Sequence, residues 1–191
     1  MIILGTERWT LRNVFVLCTG RCGSVTFIEA SRHITNYSSA HESLSHAVGA
    51  ARFAYPPGHI EADNRLSWVL GRLDKAYGDD AFYVHLARDK MAAARSFLKR
   101  YDAGIMNAYK SAILMGAAKK SADVEHLDFC VDYCETVNSN IQLFLRNKTH
   151  KMNFALERAS SDFAELWERV GAQGDFNAAL EQWQTKHNAS G

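Results

Sequence analysis

Short apolar segments rich in β-branched residues alternate along this chain with segments in which apolar residues recur at helical spacing. Strands are predicted at 12–18, 34–40, 59–62, 81–87 and 151–156. Helices are predicted at 24–32, 63–77, 124–145, 163–170 and 176–183, and from Lys90 onward. This alternation predicts one α/β domain over residues 1–191, in three layers: a central, mostly parallel sheet of about five strands with helices on both faces.

Charge and hydropathy exclude several classes of protein. Lys and Arg total 22 against 21 Asp and Glu, so the basic excess that is usual in nucleic-acid binders is missing. No apolar run reaches the roughly 18 residues of a membrane span. Glu7 and Arg8 precede any apolar run, so no signal peptide is predicted. A phosphorylated small molecule is therefore an allowed partner, whereas nucleic acid and a membrane span are not expected.

The four cysteines predict reduced thiols rather than a disulfide or zinc site. Cys130 and Cys134 lie four residues apart on a predicted helix, a separation that disfavours an unstrained disulfide. His126 alone lies near them as a further zinc ligand. We therefore expect no metal and a cytoplasmic location.

The loop Thr19–Val25 joins the first predicted strand to its helix and carries the first sign of chemistry. Backbone N–H groups at a helix start attract a phosphate or sulfate, and Gly20 and Gly23 allow a ligand to approach the backbone closely. Arg21 adds a permanent charge and Ser24 a hydroxyl. The spacing does not fit the ATP-binding pattern G-x-x-x-x-G-K-[ST], because no Lys precedes Ser24. Two interpretations remain open, an anion site and a tight turn without a ligand.

Arg21-Cys22-Gly23-Ser24 resembles the 5′-phosphosulfate motif of sulfotransferases, [KR]-x-G-[TS]-[TS], which follows the first strand. Val25 replaces the second hydroxyl residue of the motif, and Thr26 is a candidate to take its place.

Arg88 and Ser96 supply a second resemblance. The arginine ends a predicted strand and the serine follows eight residues later on a helix, which is similar to the 3′-phosphate motif of the same family. A guanidinium and a hydroxyl suit a phosphate dianion. Taken alone, Arg88 could equally be an ion-pair partner of Asp89 or Asp63.

The two motifs occur in the family's order, each at the carboxyl end of a predicted strand. Weaker similarities lie at His41-Glu42, at 61–64 and at 154–157, so that the resemblance covers about residues 12 to 175. The chain thus resembles the P-loop type of sulfotransferase that uses 3′-phosphoadenosine 5′-phosphosulfate (PAPS).

The resemblance implies transfer of the sulfuryl group of PAPS to a hydroxyl or amine, with PAP as the product and no metal. Arg88 and Ser96 would hold the 3′-phosphate, and Arg21 would stabilise charge on the leaving oxygen. Glu42 is the first candidate for the general base and His41 the second. The remaining residues implied to bind the donor are Thr19, Gly20, Cys22, Gly23, Ser24, Val25, Thr26 and, as a weak candidate for closing the site, Lys186.

The acceptor cannot be read from the sequence, and a small molecule, a carbohydrate and a lipid all remain open. Phe53, Tyr55 and Tyr101 line an acceptor pocket or belong to the core. Two other functions also remain: a P-loop kinase of small molecules, and a non-catalytic nucleotide-binding protein of the same fold.

Overall fold

The computed structural model describes residues 11–116 and 124–184, and its centre is a sheet of five strands. The strands are β1 (Val14–Cys18), β2 (Ser38–His41), β3 (His59–Ala62), β4 (Phe82–Ala87) and β5 (Lys151–Ala155). Their order is β2-β3-β1-β4-β5, and every neighbouring pair is parallel. The predicted parallel sheet of about five strands is therefore confirmed.

Helices cover both faces of this sheet. They are α1 (Ser24–Ser31), α2 (Leu70–Tyr77), α3 (Lys90–Leu98), α4 (Gly104–Ala108), α5 (His126–Leu145), α6 (Ala159–Arg169) and α7 (Phe176–Glu181). Helices α2 to α5 contribute to one apolar core, and α1, α6 and α7 contribute to the other. Strand β1 contributes residues to both cores, because Phe15 and Leu17 face the first while Val14 and Val16 face the second. A central strand that is buried on both faces explains the uninterrupted apolar run at 14–18.

Two predicted elements differ most from the structure. The strand expected at 34–40 is confined to Ser38–His41, and Ile34 instead forms an isolated antiparallel bridge with Gly174. The single helix expected at 63–77 is divided into a 3-10 helix, Asn64–Trp68, and α2. The division falls at Val69, whose φ of −130° is not helical.

Several short helical elements were not predicted. They are the 3-10 helices Gly49–Phe53 and Leu156–Arg158, the helix α4, and a π-helical turn at Tyr109–Ile113. A further 3-10 helix, Gln182–Gln184, continues α7 at the end of the helix predicted at 176–183. These elements are short, and tertiary contacts rather than a long apolar periodicity hold them.

The strand order fixes where a ligand can bind. All five strands run in one direction, so the segments that follow β1, β2, β3 and β4 meet at the carboxyl edge of the sheet. In open α/β sheets this edge is where ligands bind.

Candidate functional site

The loop between β1 and α1 has an unusual backbone. Gly20, Arg21 and Gly23 have φ values of 83°, 57° and 92°, so three of its residues lie in the left-handed region. Helix α1 begins directly after it, and the first intrahelical bond runs from Phe27 N to Gly23 O at 2.9 Å. The amides of residues 24–26 therefore lie ahead of the helical ladder, as in an anion-binding helix start.

Two elements hold this loop in place: helix α5 and the 3-10 helix that follows β3. Thr19 O accepts a 2.6 Å hydrogen bond from Tyr133 Oη on α5 and a 3.5 Å bond from Asn64 Nδ2. Cys18 O accepts a 3.2 Å bond from Ser67 Oγ. Asn64 lies so close to Gly20 that a Cβ there would come within 2.8 Å of its Nδ2. The loop conformation is thus set by contacts from residues far along the chain.

The thiols of Cys18 and Cys22 lie beneath the loop and are both fully buried. A hydrogen bond from the Cys18 thiol, supported by the backbone N–H groups of Gly20, Cys22 and Ser24, lowers the pKa of Cys22 although burial opposes the shift. The Cys22 side chain therefore faces the interior, so only its backbone is available to a ligand. All four cysteines are free thiols, as the sequence predicted.

The two predicted phosphate motifs form one cluster. Arg21 Nε donates a 3.1 Å hydrogen bond to Ser96 Oγ on α3, and Arg88, directly after β4, donates a 3.3 Å bond to Arg21 O. Burial, followed by the positive charges of Arg100 and Arg88, lowers the pKa of Arg21 below its ordinary value. The positive charges of Arg88 and Arg100 thus act on Arg21, an arrangement that an anion stabilises.

Hydrogen bonds fix the N-terminus of helix α3, which carries Ser96. Asp89 caps the helix, because its Oδ1 accepts a 2.8 Å bond from Ala92 N, and Asp89 N donates to Glu157 Oε1 at 2.8 Å. Ser96 lies in the last turns of α3, and Arg100 follows two residues after the end of this helix. Within residues 11–116 and 124–184, Arg88 forms no ion pair, so the interpretation as a partner of Asp63 or Asp89 is not supported.

A second group of side chains lies at the end of β2. His41 Nε2 lies 3.1 Å from Ser24 Oγ, the hydroxyl at the start of α1. Glu42 follows with a φ of 53°, and its Oε2 forms a 2.6 Å ion pair with Arg65 Nη1. The Glu42 side chain is 29% exposed and that of Arg65 is 48% exposed. The pair is therefore open to solvent at the same edge of the sheet as the loop.

The structure brings together most of the residues that the sequence selected. The loop, Arg88 and Ser96 are in direct contact, and Ser24 links the loop to His41. Thr26 is buried in the first turn of α1, whereas Val25 is partly exposed. Lys186 lies outside the described residues.

Four residues at the site were not predicted: Asn64, Arg65 and Tyr133, which contact it, and Arg100, whose charge acts on Arg21. Asn64 was part of a weak motif similarity, but the other three have no sequence signal, because each reaches the site from a different element. Phe53, Tyr55 and Tyr101 are all buried in the apolar core, with exposures of 8%, 7% and 7%. Their alternative assignment to an acceptor pocket is therefore not supported.

Across the described part of the chain, no helix is both long and apolar enough to cross a membrane. The same residues contain no group of three or more His, Cys, Asp or Glu side chains suited to a metal ion.

Comparison with known proteins supports the fold. No protein-family model and no curated protein matches the sequence. Among solved structures, the chain is similar to the sulfotransferase domain from the curacin biosynthetic pathway, with a TM-score of 0.58 and 11% sequence identity. The match covers 93% of this chain and 80% of that domain. The chain therefore shares the fold of a sulfotransferase domain over nearly its whole length.

Proposed function

We propose that this protein is a sulfotransferase that moves the sulfuryl group of PAPS to a hydroxyl or amine of a small-molecule, carbohydrate or lipid acceptor. The observation that carries the proposal is the contact between the two phosphate motifs, with Arg21 Nε 3.1 Å from Ser96 Oγ and Arg88 bonded to Arg21 O. The shared fold of a sulfotransferase domain supports it.

The residues present fit a nucleotide with phosphates at both the 3′ and 5′ positions. Arg21, Arg88 and Arg100 concentrate positive charge at the carboxyl edge, and like-charge repulsion among them is relieved by a bound polyanion. Gly20 and Gly23 have left-handed φ values, which an L-residue rarely adopts and which set the course of the loop backbone. Asn64 Oδ1 is buried without a partner in the described structure and lies beside this loop. This oxygen is a polar atom without a hydrogen-bond partner at the proposed PAPS-binding site.

In this proposal the loop amides of residues 19–26 hold the 5′-phosphosulfate, and Arg88 with Ser96 holds the 3′-phosphate. PAPS, when bound, supplies an activated sulfuryl group. Arg21 stabilises the negative charge that develops on the leaving oxygen, and it acts electrostatically because a guanidinium does not give up its proton.

Glu42 is the proposed general base. Its carboxylate accepts the proton of the acceptor hydroxyl or amine as the bond to sulfur forms, while the bond from sulfur to the leaving oxygen breaks. Arg65 orients this carboxylate through their 2.6 Å ion pair. His41, which contacts Ser24, is the second candidate for the same role.

Calorimetry with PAP, and separately with ATP and Mg²⁺, tests the donor. We expect PAP to bind and ATP to bind weakly or not at all. Binding of ATP without binding of PAP contradicts the proposal and favours the kinase alternative. A panel of phenol, sugar, lipid and amine acceptors with ³⁵S-labelled PAPS then tests transfer. If PAP binds but the sulfuryl group is transferred neither to an acceptor nor to water, the result favours a non-catalytic nucleotide-binding protein.

A further inference from the structure

The face of β3 beneath the proposed base carries a buried carboxylate that the proposed reaction does not use. Glu61 is completely buried, and its side chain lies on the same face of the strand as His59 and Asp63. A buried carboxylate is costly unless hydrogen bonds satisfy it, so the partners of Glu61 indicate what it does.

Those partners lie mostly in the segment that follows β2. Glu61 Oε1 accepts a 2.7 Å hydrogen bond from Ser43 N, and Oε2 accepts a 2.6 Å bond from Ser43 Oγ. His59 Nε2 lies 3.0 Å from Oε2, and His59 Nδ1 lies 2.8 Å from Ser38 Oγ. One carboxylate thus holds both the backbone and the side chain of Ser43.

Ser43 is the residue directly after Glu42. On the other side, Glu42 N donates a 3.0 Å hydrogen bond to Ala62 O. Glu42 is therefore fixed to β3 through its own amide and through its neighbour, which explains how a non-glycine residue keeps a φ of 53°. This conformation orients the Glu42 side chain toward Arg65.

We propose that Glu61 is a positioning residue that sets the general base through Ser43. The inference rests on the proposed function, because it assigns Glu61 a role only through Glu42. Glu61 touches neither the loop nor the arginine cluster through any hydrogen bond or ion pair in the described structure. It therefore affects transfer but not binding of the donor.

The test compares Glu61→Met, which removes every acceptor at similar length, with Glu61→Gln, which keeps one oxygen for Ser43 N. Transfer is measured with ³⁵S-labelled PAPS and the best acceptor of the panel, and binding with PAP by calorimetry. We expect Glu61→Met to lower kcat about 100-fold, as a displaced catalytic group does, with the Kd for PAP unchanged. Glu61→Gln should keep kcat within about threefold, since it retains the acceptor for the Ser43 amide.

A double-mutant cycle with Glu42→Gln separates positioning from a general structural role. If Glu61 acts through Glu42, adding Glu61→Met to Glu42→Gln causes no further loss of kcat. Amide exchange of the segment 40–46 should accelerate in Glu61→Met. The matched control is Asp162→Leu, which also removes every acceptor, because Asp162 is another buried carboxylate that accepts a backbone N–H, from Ala155 at 2.7 Å. This control should leave exchange at 40–46 and kcat unchanged.

Each remaining outcome is decisive. If folded Glu61→Met keeps the wild-type kcat while Glu42→Gln is inactive, the Glu61 role is wrong and the proposed function stands. A multiplicative further loss in the double variant, or unchanged exchange at 40–46, also overturns the Glu61 role. If Glu42→Gln transfers at the wild-type rate, the proposed base and the role of Glu61 fail together.

If Glu61→Met does not fold, Ser43→Ala replaces it in the test. We expect Ser43→Ala to lower kcat about threefold to tenfold, which corresponds to the loss of one hydrogen bond. An unchanged kcat in Ser43→Ala would overturn the role of Glu61.

Discussion

Arg21 Nε and Ser96 Oγ lie 3.1 Å apart although 75 residues separate them in the chain. The contact joins the loop after β1 to the helix after β4, because these two strands are neighbours in the sheet. It makes one site from two motifs that the sequence presents separately.

Arg88 is the first residue to change at this site. Arg88→Ala should weaken binding of PAP about 30- to 150-fold, because a charge-assisted contact to phosphate contributes about 2–3 kcal/mol. Calorimetry measures the effect, and Arg95→Ala is the control because Arg95 is an exposed arginine on α3, the helix that carries Ser96. Equal affinities of Arg88→Ala and the wild type would remove Arg88 from the donor site.

Arg100 was not selected from the sequence, and its proximity to Arg21 predicts a measurable role. Arg100→Gln should weaken binding of PAP and flatten the salt dependence of the Kd, because one fewer cation faces the nucleotide. We expect a loss of about threefold to tenfold, less than for Arg88, because Arg100 is exposed to solvent. A titration series in NaCl checks this, and an unchanged slope and affinity would assign Arg100 to the general surface.

A change at Glu42 tests the proposed catalysis separately from binding. Glu42→Gln should retain the wild-type Kd for PAP and lower kcat about 100- to 10,000-fold, which is the contribution of a general base. His41→Ala is measured in parallel with labelled PAPS. Loss of transfer in His41→Ala together with full activity in Glu42→Gln would reassign the base to His41.

Two glycine substitutions with the same chemical change should have opposite effects on stability. Gly23→Ala should destabilise the protein by at least about 1 kcal/mol, since an L-residue is disfavoured at positive φ. Gly23 has a φ of 92°, and its new Cβ would also meet Leu156 Cδ1 at 2.7 Å. Gly71→Ala, in α2 with no atom within 4 Å of the new Cβ, should stabilise by about 0.5–1 kcal/mol. Urea denaturation measures both, and destabilisation by both changes would contradict the backbone argument.

His85 predicts how stability depends on pH. Burial lowers the pKa of this histidine, although its 2.9 Å contact with Asn138 Oδ1 opposes the shift. As the pH falls, this histidine is therefore protonated in the unfolded chain before it is protonated in the folded protein. The free energy of unfolding should thus decrease as the pH drops below about 6.5, the ordinary pKa of histidine. Denaturation at pH 7.5 and 5.5 should show a smaller pH-dependent loss in His85→Gln than in the wild type. An identical loss in both proteins would show that other groups cause it.

The sequence predicts the central elements of this fold better than the outer ones. Strands β1 and β4 are buried on both faces, so nearly every residue in them is apolar and their runs are unmistakable. Strand β2, with the sequence SSAH, lies at the edge and depends on pairing with β3 rather than on apolar side chains. Its bounds are therefore not visible in the hydrophobic pattern.

The break in the helix predicted at 63–77 has a similar cause. Asn64 and Ser67 donate hydrogen bonds to Thr19 O and Cys18 O, and these contacts hold the segment after β3 against the loop. A helical periodicity in the sequence gives no information on such long-range bonds. For the same reason Tyr133, 114 residues from Thr19, could not be assigned to the site.

Strand β1 lies at the centre of the sheet, so the two halves of the candidate site are formed by different segments of the chain. Apart from Asn64, the proposed PAPS contacts come from segments after β1 and β4, whereas the proposed base follows β2 and is held by β3. On the proposed function, we expect changes in the segment 44–57 to alter which acceptor is used while the proposed nucleotide contacts stay intact. The β2–β3 side would then be the place to graft loops for a new acceptor specificity.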